Sequence, residues 1–448
     1  MNTPIADFVK AYASSGTVRL HMPGHKGRPF LGCEPYDITE VHGADVLYSA
    51  EGIIHQSECN ASALFGTAHS FYSTEGSSLA IRAMLALAAS GARRNGRRPL
   101  VLAARNVHKA FVYACALLDL DVEWLYPETY RHLCSCEVSA GDIARAIALA
   151  ERRPAAVYVT SPDYLGHMLD IGGIAGACRA AGIPLLVDNA HGAYLNFLPE
   201  PLHPMRLGAT MCCDSAHKTL PVLTGGAYLH LSHDAPAEWM ETARNMLSVF
   251  ASTSPSYLIL QSLDLCNRYL AEGYTARLAA CIKRTGRLKT QLAALGYVLE
   301  DGEPLKIVID AARSGRSGVE ISEYLRGCGI EAEYSDDSYL VMMLSPETDE
   351  ADFARIEAAF LELPVLPPLD LAPPRAPQAP ARRMSIREAI FGPRRIMAVE
   401  DAEGRTCASP MVSCPPAVPV VISGEEITHD AVGLFRRYGI ARIEVADA

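Results

Sequence analysis

Between about Pro99 and Leu231, short apolar runs alternate with amphipathic stretches. The runs Pro99–Ala103, Val122–Tyr126, Ala155–Thr160, Pro184–Asp188, Ala209–Cys213 and Gly226–His230 predict strands. Asp142–Arg152 and Ile174–Ala181 read as helices, the second closed by Gly182. Strands alternating with helices mean a mostly parallel sheet covered on both faces, that is, an α/β fold. Ligands of such sheets sit outside the carboxyl ends of the strands, so chemistry is sought just after each run. Ahead of this region, Thr74-Glu75-Gly76-Ser77-Ser78 opens a strong helical pattern, LAIRAMLALAA.

The pattern changes after Leu231. Ala235–Gln291 reads as mainly helical, and Gly296–Ala359 mixes strands (Lys306–Asp310, Tyr339–Leu344) with helices (Gly318–Gly327, Glu350–Leu361). The Pro-rich stretch after it can be neither helix nor central strand, so it reads as an extended linker. The expected division is an N-terminal arm over 1–50 and a large domain over 51–290. A small α/β domain follows over 291–363, then the linker over 364–383 and a small C-terminal domain over 384–448.

Composition narrows the function classes. A chain of 448 residues with a formal net charge of −11 and no dense Lys/Arg patch offers no surface for nucleic acid. The N-terminus, MNTPIADFVKAYASSG, has no long apolar run, so neither a signal peptide nor a membrane span is expected. Thirteen cysteines without a CxxC pair suit neither a disulfide framework nor a metal site, and read as reduced thiols of a cytoplasmic protein. Only seven lysines occur, at 10, 26, 109, 218, 283, 289 and 306, so a search for a carbonyl-binding amine has few candidates.

Five residue groups fit a pyridoxal 5'-phosphate site. Asp188 ends an apolar strand, where a carboxylate needs a charged partner such as a pyridinium N–H; the alternative is a cap or turn position. Lys218, in CCDSAHKTLPVLTGG, lies in a predicted loop one strand later and supplies an amine; a partly desolvated setting would lower its pKa. The alternative is a solvated loop lysine. Gly76, Ser77 and Ser78 at a helix start offer N–H groups and hydroxyls to a phosphate, with Ser215 adding another hydroxyl; plain capping is the alternative. His108, just past a strand, would cover the ring, or is a surface or capping residue. His217 and His191 are placed for proton transfer or carboxylate contact.

The segments LHMPGHKGRPF, DITEVHGADVLYSAEGII, RNVHKAF, TSPDYLG, VDNAHGAY, SAHKTL and GRTCASPMVSCPPAVPVVISGEEIT resemble the fold-type I ornithine/lysine/arginine decarboxylases along essentially the whole chain. The resemblance implies an aspartate aminotransferase-like large domain and decarboxylation of a basic amino acid, with a place in polyamine metabolism. It implies that Lys218 carries the cofactor, Asp188 meets the pyridine nitrogen and His108 stacks on the ring. It places Ser77, Ser78 and Ser215 at the phosphate, Ala190 under the ring and His217 by the substrate. It also implies a homodimer or larger homo-oligomer, while the long N-terminal extension of the large inducible members is missing. The Gly424-Glu425-Glu426-Ile427-Thr428 segment resembles the family's Gly-Glu-x-Ile-Thr, so Glu425 either recognises the distal cation of the substrate or caps the helix near Thr428. Three positions depart from the family pattern: Glu75, Asp163 in place of Thr, and Cys414 in place of Tyr. An aminotransferase or other lyase on the same fold, with Arg313 or Arg316 taking the substrate carboxylate, is the alternative enzyme. A catalytically silent regulatory relative is the third reading.

Overall fold

The computed structural model describes residues 1–92, 98–128, 132–371, 379–410 and 417–447. Strands β1 to β7 span His69–Ser73, Leu100–Ala104, Asp121–Leu125, Ala156–Thr160, Leu185–Asp188, Met211–Asp214 and Ala227–Leu231. Six of them fall on the six apolar runs, displaced by a residue or two. Their sheet has the order β1-β7-β6-β5-β4-β2-β3. β2 runs parallel to β3 and β5 parallel to β6, whereas β7 is antiparallel to both β6 and β1. β1, HSFYS, is buried along its length although His69, Ser70 and Ser73 occupy three of its five positions. Paired polar groups permit this: Ser70 Oγ meets His230 Nδ1 at 2.8 Å, and Tyr72 N donates to Glu58 Oε1 at 2.9 Å.

Local signals set the helix ends. Helix Ile171–Ala181 stops at Gly182, whose φ of +64° an L side chain adopts only with strain. Ile183 N then reaches Cys178 O at 2.9 Å. Ser139 with Asp142, Ser317 with Glu320, Asp349 with Asp352 and Ser385 with Glu388 form reciprocal capping boxes. Each such cap is worth about 1 kcal/mol.

The chain forms two compact units. Met1–Asn95, Ala155–Val157 and Ile171–Ala276 make the first, and Gly96–Pro154, Tyr158–Asp170 and Arg277–Ala448 the second. Within the second, strands β8 to β11 (Val298–Glu300, Lys306–Asp310, Tyr334–Ser335, Tyr339–Met343) form a sheet in the order β10-β11-β9-β8. Helices Gly318–Gly327 and Glu350–Glu362 pack Ile321, Leu325, Phe353 and Phe360 into its core. Near the C-terminus β12 (Arg394–Ala398) pairs with β13 (Arg442–Ala446), and helix His429–Arg437 buries Val432 and Phe435 against Ile443 and Val445. Among the described residues no helix is long and apolar enough to cross a membrane.

Candidate active site

β6 ends at Asp214, and Ser215 leads into a single helical turn, Ala216–Thr219, that carries His217 and Lys218. The sequence reading placed Lys218 in a loop. The short turn forms because Ser215 O accepts from Lys218 N at 3.0 Å and Ala216 O from Leu220 N at 2.8 Å. Lys218 Nζ lies 3.0 Å from Nε2 of the buried His191. Lys218 itself is exposed in the single chain, so its own turn does not supply the expected desolvation.

His217 Nδ1 lies 2.9 Å from Gly226 O. A carbonyl can only accept, so Nδ1 carries the proton and Nε2 is the basic nitrogen of the neutral ring. Burial pulls the His217 pKa down, the Gly226 carbonyl opposes this, and the neighbouring Lys218 charge lowers it further. His217 therefore stays neutral near pH 7 and can take up a proton at Nε2.

Asp188 closes β5 and is 2 % exposed. Its Oδ1 accepts from Ala190 N at 3.2 Å, and the Cys213 thiol stands 3.6 Å away on β6. That thiol is held neutral, because burial and the Asp188 charge both push its pKa far up. The next residue, Asn189, is also buried and donates through Nδ2 to Asp214 Oδ1 at 2.7 Å. Gly192 has to be glycine here, since a Cβ would stand 2.0 Å from Asn189 Oδ1.

The anion cup forms at the start of helix Gly76–Ala92. Gly76 takes a φ of +71°, and nothing lies within 4 Å of where a Cβ would stand. Its N–H goes to Gly225 O at 2.8 Å, while Ser77 and Ser78 are half-buried on the first turn. Ser215 Oγ meets Ser77 Oγ at 2.8 Å, which joins two of the proposed phosphate hydroxyls. Glu75, the residue before Gly76, accepts from Ser252 N through its Oε1 at 2.7 Å.

Two other expected site residues belong to the second unit. His108 is the N-cap of helix Lys109–Leu118, with Ala110 N donating to its Nδ1 at 3.1 Å. Glu425 does not cap helix His429–Arg437; Thr428 does, accepting from Ala431 N at 3.2 Å. The Glu425 side chain is buried and lines a cavity of ≈ 180 Å³ with Trp124 and Tyr126. Its Oε2 accepts from Ile422 N at 2.8 Å and lies 3.4 Å from Arg105 Nη2. Asp163, the departure from Thr, is also buried and accepts from Ser135 Oγ at 2.7 Å and from His167 Nδ1 at 3.0 Å. Cys414 lies outside the described residues.

A primary amine, a buried carboxylate, an imidazole beside the amine and an open helix start with two joined hydroxyls make a donor set that fits pyridoxal 5'-phosphate. Residues 3–312 match the family described as Orn/Lys/Arg decarboxylase, major domain. The chain belongs to this family. Arginine decarboxylase of Bacillus subtilis is 27% identical over 461 residues, covering 96% of this chain and 92% of that protein. Arginine decarboxylase of Halalkalibacterium halodurans is 28% identical, covering 99% and 94%. Among solved structures, the constitutive lysine decarboxylase of E. coli superposes with a TM-score of 0.79 at 17% identity, covering 100% of this chain and 82% of that one. A serine palmitoyltransferase from Sphingomonas wittichii, at TM-score 0.56 and 16% identity over 80% of this chain, shares the large-domain fold. The decarboxylase family and fold-type I architecture make pyridoxal 5'-phosphate the cofactor, and the aminotransferase alternative is not favoured.

Sequence reasoning passed over Asn189, Cys213 and Asp214, although each is adjacent to or one strand from a chosen residue. Asn189 and Asp214 were visible as polar residues ending apolar runs, the same signal that selected Asp188.

Proposed function

We propose that this decarboxylase acts on arginine, releasing CO2 and the corresponding amine. The arginine decarboxylases related along almost the whole chain support the choice of arginine. The observation that carries the site is the Lys218 amine beside His191, one strand from the buried Asp188.

When bound, pyridoxal 5'-phosphate draws into its ring the electrons left behind by the departing carboxylate. Lys218 holds the aldehyde through its amine, and Asp188 keeps a proton on the ring nitrogen by presenting a carboxylate there. Ser77, Ser78 and Ser215 would hold the phosphate through hydroxyls and the helix-start N–H groups of the two serines, while Gly76, its own N–H given to Gly225 O, leaves the cup open by having no side chain. Ala190 is small enough that it would lie under the ring. His191 and His217 orient the substrate and move protons at their Nε2 atoms.

We further infer a homodimer or larger homo-oligomer. The arm exposes Val18 (78%), Leu20 (90%), Phe30 (81%) and Leu31 (90%), an apolar set that a second copy would cover. A partner would also supply the desolvation that Lys218 lacks in the single chain. Twelve described cysteines, all free, support a cytoplasmic location.

Two measurements test these readings. Incubation with arginine, lysine and ornithine, with products identified by mass spectrometry, should show the amine of arginine as the major product. Faster turnover of lysine or ornithine removes the arginine assignment. Borohydride reduction followed by peptide mapping should place the pyridoxyl label on Lys218, and a label on Lys26 or Lys109 overturns the site.

A further inference from the structure

Asp214, the residue before Ser215, has no role in the site as read so far, yet it is fully buried at the end of β6. Its Oδ2 lies 2.9 Å from His203 Nε2 and 3.1 Å from His230 Nε2, and its Oδ1 accepts from Asn189 Nδ2 at 2.7 Å. Both imidazoles are as buried as the carboxylate. Burial opposes the charge, but the two imidazoles outweigh it and hold the Asp214 carboxyl well below its ordinary range. The result is an ionised carboxylate with three short donors.

His203, Cys212, Asp214 and His230 lie close enough to suggest a metal site, with ligand atoms within 4.8 Å of one another. Proton positions argue against it. His203 Nδ1 accepts from Met205 N at 3.3 Å, so its proton sits on Nε2, the atom that would have to bind the metal. Burial, with the nearby carboxylates, holds the Cys212 thiol protonated. On the far side, His230 Nδ1 meets Ser70 Oγ at 2.8 Å, and Ser70 Oγ meets Thr67 Oγ1 at 2.8 Å. The cluster is therefore a hydrogen-bond network anchored in β1, β6 and β7.

The network ends at the cofactor segments. Asn189 lies between Asp188 and Ala190, is tied at Nδ2 to Asp214, and is packed at Oδ1 against Gly192. Its backbone N–H reaches Cys213 O at 3.0 Å. Asp214 in turn is joined by one peptide to Ser215, whose carbonyl closes the Lys218 turn. One carboxylate thus fixes the strand end that presents Asp188 and the strand end that presents Lys218.

We propose that Asp214, through the Asn189 amide and its own peptide link to Ser215, is a positioning residue that holds Asp188 and Lys218 in register for cofactor capture. The proposal rests on the reading of Asp188 and Lys218 as cofactor ligands. It does not require Asp214 to touch the cofactor or substrate.

The test uses the full chain, stripped of cofactor and reloaded, in wild type, Asp214→Asn, Asn189→Ala and the double variant. Cofactor affinity is read by absorbance titration, and thermal midpoints are read with and without cofactor. Each single change should weaken cofactor binding about tenfold or more, which corresponds to about 1.4 kcal/mol. The double variant should be no worse than the weaker single, because both act through one contact. The gain in midpoint on adding cofactor should shrink in all three. Midpoints that fall equally with and without cofactor, at unchanged affinity, would reduce Asp214 to a purely structural residue and overturn the proposal. Additive losses in the double variant, or a stoichiometric transition metal in the purified protein, would also overturn it. If Asp214→Asn does not fold, Asn189→Ala decides alone, since it leaves the pairs with His203 and His230 in place. Failure of the underlying site shows differently: Lys218→Ala would then bind cofactor as tightly as wild type.

Discussion

Asp214 in the first unit and Glu425 in the second are both buried carboxylates at the ends of apolar segments, yet their proton affinities move in opposite directions. Asp214 has two imidazoles and one amide within 3.1 Å, and its pKa is lowered. Glu425 has one backbone N–H at 2.8 Å and an arginine at 3.4 Å, and burial wins, so its pKa is raised. Arg105 is shared: it also donates to Pro419 O and Val420 O at 3.1 Å each. Burial alone does not decide whether a carboxylate stays charged. The number, distance and exclusivity of its donors decide it.

The largest effect is expected where the charge serves chemistry. Asp188→Ala should leave the cofactor able to attach to Lys218 but lower turnover by about two to three orders of magnitude, as when a preorganised electrostatic contact is removed. Steady-state decarboxylation with saturating cofactor measures this. Turnover within a few-fold of wild type would show that another group keeps the ring nitrogen protonated, and the first unit's carboxylates would lose their functional distinction.

Glu425→Gln sharpens the other side. Removing one partner of a buried pair leaves Arg105 uncompensated, a loss of about 3–5 kcal/mol if the pair is ionised at the working pH. Because the folded pKa is raised above its ordinary 4.5, the native state binds the extra proton. Wild-type stability should therefore fall as pH rises from about that value through the folded pKa, and Glu425→Gln should lack this component. Denaturant melts across pH 4 to 8 give the comparison. A raised KM for arginine with an unchanged melt would instead support recognition of the substrate's distal cation by Glu425.

Asp214 should give the opposite slope. Its lowered folded pKa means that the stability it contributes is present above its ordinary 3.8 and is lost as pH falls through the folded value. Asp214→Asn should flatten the acid limb of the stability curve below about pH 4. An acid limb identical to wild type would mean that the imidazoles do not hold the charge.

Much of the frame was legible because the relevant signal is local. Asp188 ends a run of Leu and Val, Lys218 lies five positions past the end of the next run, and both strands lie where the runs predict. β1 was not read, because Ser70 and His69 interrupt its apolar pattern and become acceptable only through partners at Glu58, Ser62 and His230. β12 and β13 lie nearly fifty residues apart and pair only in the folded C-terminal part. The Asp214 network was equally hidden. His203, Asp214 and His230 follow no motif spacing and meet because strands and a short helix bring them together. Asp163 was read as a change from Thr, but its partner His167 was not. The two meet through a turn in which Asp163 N donates to His167 O at 2.9 Å and His167 N donates back to Asp163 Oδ1 at 3.0 Å.

That pair supplies the smallest and most specific expected effect. His167 Nδ1 stands 3.0 Å from Asp163 Oδ2, and its Nε2 is 3.9 Å from Glu300 Oε2. Asp163, with Glu300 adding a second attraction, raises the imidazole pKa to about 10 against a smaller penalty from burial. The folded state then holds its proton well above the pH at which the unfolded chain releases it. The resulting stability is fully present below the ordinary 6.5, declines as pH rises from there, and is gone above about 10. His167→Gln keeps a donor for Asp163 but cannot titrate, so the decline over that window should become shallower while stability at pH 6 falls modestly. The change should be small, because the ring is partly open to solvent and Glu300 acts at a distance that water and salt weaken. Asp163→Thr, which restores the usual family residue, should flatten the same window by removing the other partner. If both variants keep the wild-type slope between pH 6.5 and 10, the Asp163–His167 pair is not charged in the folded protein, and the contrast between multiply held and singly held carboxylates does not extend beyond Asp214 and Glu425.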